Sequence, residues 1–370
     1  MNRILLIGLT PFSGGINSFI KNTYQYMDRD QFIYDFLMME QYRNAGKLTA
    51  DFDVSGSNFY YLDFTRMELP LQSHAKLREI YSSIPGLCGV HVHDQFRMTY
   101  PLVLADQMGL PIKVIHFHSG HPKHEKELPE LEPAEKERLN QIKGDCFDRL
   151  ACSDLAGEEG FRGMSFKVIP NGIDPDKFTF NPFYRKLIRS KMNISEETLV
   201  FGFFANIKEN KNPFFALDVF REFLKKEPNS KMLFVGMNFV ERKLSNYIRE
   251  HNLEDHVRFL QTDESVDMLY SAVDMLLFTS FKEGIGYVLI EAQASGLPCL
   301  ISDEITDQVK ITDLAHMMPL DASPEIWAKK ALQILQGKNK RMSRTQEIID
   351  AGYHAKDVAK TIQSIYRGRL

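Results

Sequence analysis

Short apolar runs alternate with longer amphipathic segments along the whole chain, and this alternation constrains the fold more than any other feature. Runs that are apolar throughout predict buried strands, and segments with helical spacing of apolar residues predict helices. Parallel sheets covered by helices on both faces have such strands. The predicted strands are 4–9, 90–92, 112–117, 149–152, 166–169, 200–204, 231–235, 257–259, 275–279 and 298–301. The predicted helices are 17–27, 100–108, 214–226, 240–251, 265–272, 287–294 and 356–367.

The chain has 370 residues, which is enough for two domains of about 150 residues each. A strong breaker lies at 170–175, where two prolines bracket an Asn-Gly pair. We therefore predict two doubly wound, Rossmann-like α/β domains over 1–172 and 173–351, facing across a cleft. A C-terminal helix over about 352–370 is expected to pack back on the first domain. Open α/β sheets bind ligands at the carboxyl ends of their strands, so the cleft is the expected site.

Charge and composition exclude several classes of protein. Lys and Arg total 45 against 49 Asp and Glu, so the net charge of −4 argues against bulk nucleic-acid binding. No apolar run approaches the roughly 20 residues of a membrane span, and the N-terminal run is too short for a signal peptide. The four cysteines form no C-x-x-C pair, which predicts buried free thiols. We expect a cytoplasmic protein, with peripheral association at the inner face of the membrane left open.

The first βα turn carries a glycine pair, Gly14-Gly15, ahead of a predicted helix. The turn lacks the G-x-G-x-x-G spacing of a dinucleotide site, so no nicotinamide or flavin cofactor is predicted. Glycines at a helix start let backbone amides approach an anion or a sugar closely. The alternative is a plain turn, and the turn alone does not decide between the two interpretations.

A second glycine-containing loop lies between two glutamates. Gly284-Ile285-Gly286 follows a predicted strand and opens a predicted helix, with Glu283 before the loop and Glu291 within the helix. Free amides and the helix dipole at this position suit a phosphate or diphosphate. Carboxylates on either side suit the hydroxyls of a sugar or ribose. Because Glu291 stands in an otherwise apolar segment, an unpartnered carboxylate there would be costly.

Four histidines end two consecutive predicted strands: His91 and His93, then His116 and His118. Residues two apart on a strand share one face, so His116 and His118 are expected side by side. Imidazoles suit Zn²⁺, but no cysteine or carboxylate spacing completes a site. We therefore predict no metal site, and a structural or acceptor-side role for these side chains.

The stretch from Glu283 to Pro298 resembles a known family signature. Glu-x7-Glu followed by Ala-Gln-Ala-Ser-Gly-Leu-Pro is similar to the signature of GT-B-fold, GT4-type retaining glycosyltransferases. Further similarity lies at the first-loop glycines and at 151–153, 168–174 and 202–212, so the resemblance covers nearly the whole chain. Within the family it points to the bacterial exopolysaccharide and capsule enzymes. The resemblance implies a GT-B architecture with an acceptor-side first domain and a nucleotide-sugar-binding second domain.

The resemblance also implies residue roles. Glu283 would contact the hydroxyls of the donor sugar, and Glu291 would hold the ribose of the nucleotide. Lys211 would neutralise the diphosphate as a point charge on a flexible stem. Without the family match, Lys211 would be interpreted as a solvated loop lysine. The glycines at 14–15 and 284–286 would serve nucleotide-sugar binding.

Histidines of the first domain gain roles in the same way. His118 best matches the family's histidine near the donor sugar and leaving group, which makes it a candidate catalytic residue beside Glu283. His93 and Asp94 are weaker candidates for the acceptor pocket.

The sequence departs from the family at one position. Asn206 stands where most members offer an arginine to the diphosphate, and an amide carries no charge. Leaving-group stabilisation should be weaker unless Lys208 or Lys282 substitutes. This places full activity and the identity of the donor in question.

The activity implied is transfer of a sugar from a nucleotide diphosphate, with UDP favoured, to a hydroxyl of a glycan or lipid-linked acceptor. The family retains anomeric configuration. A helix terminus with nearby lysines can take the diphosphate charge, so we expect an enzyme without a metal or cofactor. One alternative is a catalytically weak partner subunit that keeps the nucleotide pocket. Another is a GT-B-like epimerase, which would convert donor without any acceptor.

Overall fold

The computed structural model describes residues 1–10, 14–44, 56–64, 69–93, 98–124, 128, 130–260, 266–337 and 341–370. The chain forms two compact units. The first comprises Met1–His121, Glu125–Gly172 and His354–Leu370, and the second comprises Pro122–His124 and Ile173–Tyr353.

Strands and helices alternate through both units. The strands are β1 (Asn2–Ile7), β2 (Phe32–Met39), β3 (Phe59–Leu62), β4 (Leu87–Val92), β5 (Ile112–Phe117), β6 (Asp148–Ala151), β7 (Lys167–Val168), β8 (Leu199–Phe204), β9 (Ser230–Val235), β10 (Val257–Leu260), β11 (Met275–Phe278), β12 (Cys299–Ser302) and β13 (Ala315–Met318). The helices are α1 (Gly15–Tyr24), α2 (Gln72–Ser83), α3 (Tyr100–Gln107), α4 (Pro133–Gln141), α5 (Asp154–Phe161), α6 (Pro182–Lys191), α7 (Pro213–Leu224), α8 (Glu241–Glu250), α9 (Val266–Ala272), α10 (Tyr287–Ala294), α11 (Pro324–Gln336), α12 (Thr345–Asp350) and α13 (Ala355–Arg367). Across the described ranges, none of these helices has the length and apolar character needed to cross a bilayer.

The first unit is built on a parallel sheet in the order β3-β2-β1-β4-β5-β6-β7. The chain runs outward from β1 to β3 and then returns to place β4 beside β1. The strand order therefore reverses between β1 and β4, which is where open α/β sheets bind ligands. Gly14 and Gly15 start the helix that follows β1, and His93 directly follows β4.

The second unit repeats this winding. Its parallel sheet has the order β10-β9-β8-β11-β12-β13, so the reversal lies between β8 and β11. Asn206 and Lys211 follow β8, and the segment from Glu283 to Gly286 follows β11. The prediction of two doubly wound parallel domains is confirmed, and the sequence-predicted site residues of this unit lie at its switch point.

Strands β2, β3 and β13 are absent from the sequence-based prediction. In β2 an apolar run is interrupted by Asp35, whose side chain is buried in the structure. Arg3 on β1 donates to that carboxylate at 2.7 Å. A charge is tolerated in a buried strand only where such a partner offsets its desolvation.

Helix α13 belongs to the first unit. Its buried stripe includes Ala355, Val358, Ile362 and Tyr366. A Cβ built on Gly172 would lie 2.7 Å from the Cα of Ala355, so the missing side chain lets the segment approach the start of the helix. The C-terminal turn of the chain thereby brings Tyr366 under the sheet beside β2 and β4.

A short segment of the predicted first domain belongs to the second unit. The amide of Lys123 donates to the carbonyl of Glu304 at 2.7 Å, and its ammonium pairs with Asp307. His124 lies 3.3 Å from the Asp303 carboxylate. The chain contributes to the second unit at 122–124 before it returns to the first.

Candidate active site

Two loops at the switch point of the second unit are tied together by their backbones. One loop, 205–212, joins β8 to α7, and the other, 279–286, joins β11 to α10. The Thr279 hydroxyl donates to the carbonyls of Lys211 at 3.1 Å and Asn212 at 2.9 Å. The Phe281 amide donates to the Asn210 carbonyl at 3.0 Å. These bonds fix the two loops relative to each other.

Lys211 and Glu283, which the sequence places far apart, form an ion pair across these loops. Their side chains are 18% and 16% exposed, so the pair is largely shielded from solvent. The Ser280 hydroxyl donates to the same carboxylate oxygen at 3.2 Å. Burial, assisted by the positive charge of Lys208, lowers the pKa of Lys211 to about 8. Lys211 is therefore still cationic at neutral pH, with ammonium hydrogens left to donate to a further anion.

The loop beside this pair ends in the N-terminus of α10. Gly286 caps the helix with extended backbone, no side chain caps the first turn, and that turn holds no acidic residue. Gly284 and Ile285 are buried. A Cβ on Gly286 would lie 3.1 Å from the Phe278 ring, so a larger residue there would have to displace the ring. The arrangement offers backbone amides and a positive dipole end to an anion.

Glu291 lies in the second turn of α10. The Tyr270 hydroxyl donates to its carboxylate at 2.7 Å. Burial raises the pKa of Glu291 to about 7, while the bond from Tyr270 and the charge of Lys177 act in the opposite direction. The carboxylate keeps acceptor positions beyond its one bond to Tyr270, which suits hydroxyl donors such as those of a ribose.

The signature residues after Glu291 hold α10 in place. The Gln293 amide donates to the Val309 carbonyl at 2.9 Å and accepts from the amide of Thr312 at 2.9 Å. Gly296 has φ +69°, and a Cβ there would lie 2.0 Å from the Met342 carbonyl oxygen. In the Ala-Gln-Ala-Ser-Gly-Leu-Pro motif, the Gln and the Gly therefore hold α10 in position.

Asn206 lies just beyond β8, in a segment that continues to pair with the chain after β9. The amide of Ala205 donates to the Val235 carbonyl at 3.0 Å, which fixes the backbone directly before Asn206. Lys208 is exposed and its ammonium lies 4.6 Å from the centroid of the Phe239 ring. Lys282 is exposed. Lys208 and Lys282 are the two lysines considered as substitutes for the missing arginine. Lys208 has an aromatic partner, Phe239, in the segment that follows β9.

In the first unit, Gly14 caps α1 with extended backbone, and no described atom lies within 4 Å of a Cβ built there. The role of this helix start in nucleotide-sugar binding stays a prediction. Gly8 at the end of β1 is a glycine for a different reason, because a Cβ would lie 2.3 Å from the His93 carbonyl oxygen. Asp94 lies outside the described residues, so its predicted role stays a prediction.

The four predicted histidines of the first unit form one cluster, in which His118 is half-buried and the other three are buried. The ring centroids of His91 and His93 are 4.0 Å apart, and those of His116 and His118 are 4.2 Å apart. Between the two strands, His93 Nδ1 lies 3.0 Å from His118 Nε2. Burial lowers the pKa of all four imidazoles, to about 3 for His91 and His118. The cluster is therefore neutral at physiological pH.

Sequence reasoning missed the partners of several predicted residues. Thr279 and Ser280 directly follow a buried strand, and that position could have identified them. Tyr270 and Tyr366 give no local signal, because each contacts its partner only through the tertiary fold.

Comparison with known proteins supports one family. Residues 185–349 match the family model "Glycosyl transferases group 1". The chain is 26% identical to the putative glycosyltransferase EpsF of Bacillus subtilis over 95% of its length and 93% of that protein. It is 23% identical, over 81% of its length and 79% of the relative, to an Escherichia coli UDP-Gal:alpha-D-GlcNAc-diphosphoundecaprenol alpha-1,3-galactosyltransferase.

Solved structures give the same fold. A glycosyltransferase from Rickettsia africae superposes with a TM-score of 0.80 at 15% identity, covering 100% of this chain and 98% of that one. Anabaena HepE in complex with UDP-glucose superposes with a TM-score of 0.75 at 17% identity, covering 99% of both chains. These superpositions give the chain the GT-B fold, and the family match over residues 185–349 together with the relatives places its second unit among the group 1 glycosyltransferases.

Proposed function

We propose that this protein transfers a hexosyl or N-acetylhexosaminyl group from a UDP-linked donor to a hydroxyl of a glycan or lipid-linked glycan. The transfer retains anomeric configuration, needs no metal, and serves cell-surface polysaccharide synthesis at the cytoplasmic side of the membrane. Retention comes from the family resemblance, and metal independence comes from the helix N-terminus and lysine available to the diphosphate. The name of the Escherichia coli relative supports the class of donor and acceptor.

The Lys211–Glu283 pair beside the uncapped start of α10 is the observation that carries the proposal. A nucleotide diphosphate carries negative charge, and a helix N-terminus with an adjacent ammonium stabilises it without a metal ion. Glu283 is then next to the group that the diphosphate carries, where a carboxylate accepts hydrogen bonds from sugar hydroxyls. On the same helix, Glu291 is available to the ribose.

The chemistry that we propose breaks the bond between the sugar C1 and the leaving phosphate oxygen. An acceptor oxygen forms the new bond to C1 on the same face, and its proton passes to the departing phosphate. No side chain forms a covalent intermediate. The protein acts by positioning the reactants and by stabilising the negative charge that develops on the phosphate. His118 keeps its predicted role near the leaving group, and Gly14 and Gly15 keep theirs toward the nucleotide sugar.

The test begins with melting-temperature shifts against UDP-glucose, UDP-galactose, UDP-GlcNAc and the matching GDP sugars. A ligand that binds the folded state alone raises the melting temperature by mass action. The best donor is then incubated with lipid-diphosphate-linked sugar acceptors in EDTA, and NMR reports the anomeric configuration of the product.

We expect a new glycosidic bond with retained configuration, at a rate that EDTA leaves unchanged. Donor conversion without acceptor would instead identify an epimerase. Donor binding with turnover only after a second protein is added would identify a partner subunit, the alternative that Asn206 favours. Loss of turnover in EDTA that Mg²⁺ or Mn²⁺ restores would contradict the proposed diphosphate site.

A further inference from the structure

The histidine cluster, defined as His91, His93, His116 and His118, has properties that the proposed glycosyl transfer does not use. All four residues lie at the ends of β4 and β5 or directly after them in the first unit. Phe19 of α1 packs its ring against three of them, with centroid distances of 4.7–5.5 Å. A buried group of four imidazoles contributes little to a hydrophobic core, because each ring brings two nitrogens that need partners.

Several of those nitrogens have no hydrogen-bond partner among the described residues. They are His91 Nε2, both ring nitrogens of His116, and His118 Nδ1, and each is closed off from solvent. Native proteins rarely leave buried polar atoms unpaired, and a cluster of them in one place indicates an ion or water that completes the site. One nitrogen each from His91, His93 and His116 lie within 4.8 Å of one another.

That spacing is close to what a tetrahedral ion requires. Nitrogens about 2.0–2.1 Å from a zinc ion are separated by about 3.3 Å. Imidazole rings rotate over a broad range about χ2, so small rotations close the remaining gap. Metal ligation uses the neutral form of imidazole, in which one ring nitrogen keeps a lone pair for the ion.

A hydrogen-bond chain leads to His91. The Tyr34 hydroxyl lies 3.7 Å from the Met27 sulfur and 3.3 Å from the Tyr366 hydroxyl. The Tyr366 hydroxyl in turn lies 2.6 Å from His91 Nδ1. In the tautomer that donates from Nδ1 to Tyr366, Nε2 carries a lone pair. Metal-bound histidines typically have this arrangement, with the other nitrogen donating to an oxygen.

We propose that His91, His93 and His116 bind a divalent late first-row metal ion, with Zn²⁺ as the best fit to an all-imidazole set. Tyr366 and His118 position the rings of His91 and His93 through their Nδ1 atoms. The site stabilises the first unit and connects α13 to the sheet through Tyr366. It goes beyond the proposed glycosyl transfer, which we expect to proceed without metal.

The test measures metal binding rather than turnover. Purified apo-protein is titrated with Zn²⁺ by calorimetry and with Co²⁺ by visible absorption, where a tetrahedral nitrogen site gives intense d–d bands. We expect one ion per chain that survives dialysis and raises the melting temperature. Because His124, Asp303 and Glu304 form a second, more exposed group that could hold a metal, His124→Gln is the matched control.

His116→Gln should remove the Co²⁺ bands and weaken Zn²⁺ binding at least tenfold, while His124→Gln leaves both unchanged. Tyr366→Phe keeps the buried ring and removes only its hydroxyl, so it should weaken binding by about 10–100-fold. This variant decides the matter if His116→Gln does not fold, as judged by circular dichroism. Wild-type protein that binds no metal, or binding that disappears in His124→Gln alone, would overturn the proposal whether or not glycosyl transfer is found.

Discussion

The two switch points of this protein, where the strand order of each sheet reverses, carry side chains of contrasting chemical character. In the second unit, a lysine, two glutamates and a helix N-terminus provide charged groups and hydrogen-bonding atoms that a ligand can use. In the first unit, the ends of β4 and β5 hold four neutral histidines, three of them buried, and Phe19 packs its ring against His116. The comparison shows that one winding pattern can carry side chains of contrasting chemistry where the strand order reverses. Charged side chains that keep spare donors and acceptors fit a diphosphate, whereas packed neutral imidazoles fit an uncharged group or a metal ion.

The largest effect should come from Lys211→Met, which removes the cation from the second switch point. Loss of a charge-assisted bond costs about 1.5–3 kcal/mol, so UDP affinity should fall by roughly 10–150-fold. Lys225→Met is the matched control, because Lys225 is an exposed lysine at the end of the helix that follows the loop and pairs only with a local carboxylate. Calorimetric titration with UDP distinguishes the two.

Removing Lys211 also leaves Glu283 buried without its partner. The double variant Lys211→Met/Glu283→Gln removes that unpaired charge and should regain stability but not UDP affinity. A double variant that binds UDP as tightly as the wild type would show that the ion pair is structural and that the diphosphate binds elsewhere.

The next effect separates the two glutamates. Glu291→Gln should weaken UDP binding by about tenfold or more, since a neutral amide accepts more weakly from ribose hydroxyls than a carboxylate does. Glu283→Gln should leave UDP affinity nearly unchanged and lower kcat, because its proposed contact is with the sugar. Titrations with UDP and rate measurements with the best donor compare the variants, and an unchanged UDP affinity in Glu291→Gln would exclude the ribose assignment.

The elements that carry these residues were the most predictable parts of the chain. Helix α10 and strand β5 begin and end where the sequence predicts, because a Gly-x-Gly start and a short, mainly apolar run are strong local signals. The placement of Asn206, Lys211 and Glu283 after their strands also followed from the βα alternation.

Contacts between distant segments were not predictable. Lys211 and Glu283 are 72 residues apart, and His91 and Tyr366 are 275 residues apart. Local spacing describes which face a side chain occupies and carries no information on which strand becomes its neighbour. The histidines illustrate the consequence: His93 and His118 follow adjacent strands and their ring nitrogens lie 3.0 Å apart, a contact that spacing along the chain does not indicate.

Donor binding should depend on pH in the second unit. The bound donor favours a charged Glu291, whose pKa is about 7 in the free protein, so affinity falls as the pH drops below that value. It also favours a charged Lys211, whose pKa is about 8, so affinity falls as the pH rises above that value. UDP-glucose is the suitable probe, because its diphosphate diester does not titrate in this range. We expect a maximum between these values.

Two variants assign the acid and alkaline limbs of this plot of affinity against pH to single residues. Glu291→Gln should flatten the acid limb alone, and Lys211→Met should flatten the alkaline limb alone. A wild-type affinity that is constant from below pH 7 to above pH 8 would mean that neither group contacts the donor.

The smallest effect should come from Asn206→Arg, which restores the charge that most family members carry. A guanidinium binds phosphate oxygens in a bidentate manner, so UDP affinity or turnover should rise by several-fold, or about 1 kcal/mol. Added salt should reduce the gain, because a charge in a half-buried loop is partly screened.

If Asn206→Arg brings no gain, Lys208→Ala and Lys282→Ala show whether a lysine already supplies this charge. Lys208 is the stronger candidate, since it lies in the same loop as Asn206 and its ammonium lies near the ring of Phe239, which follows β9. A variant set in which neither lysine matters and the arginine has no effect would remove this loop from the diphosphate site, leaving Lys211 and the start of α10 to bind it alone.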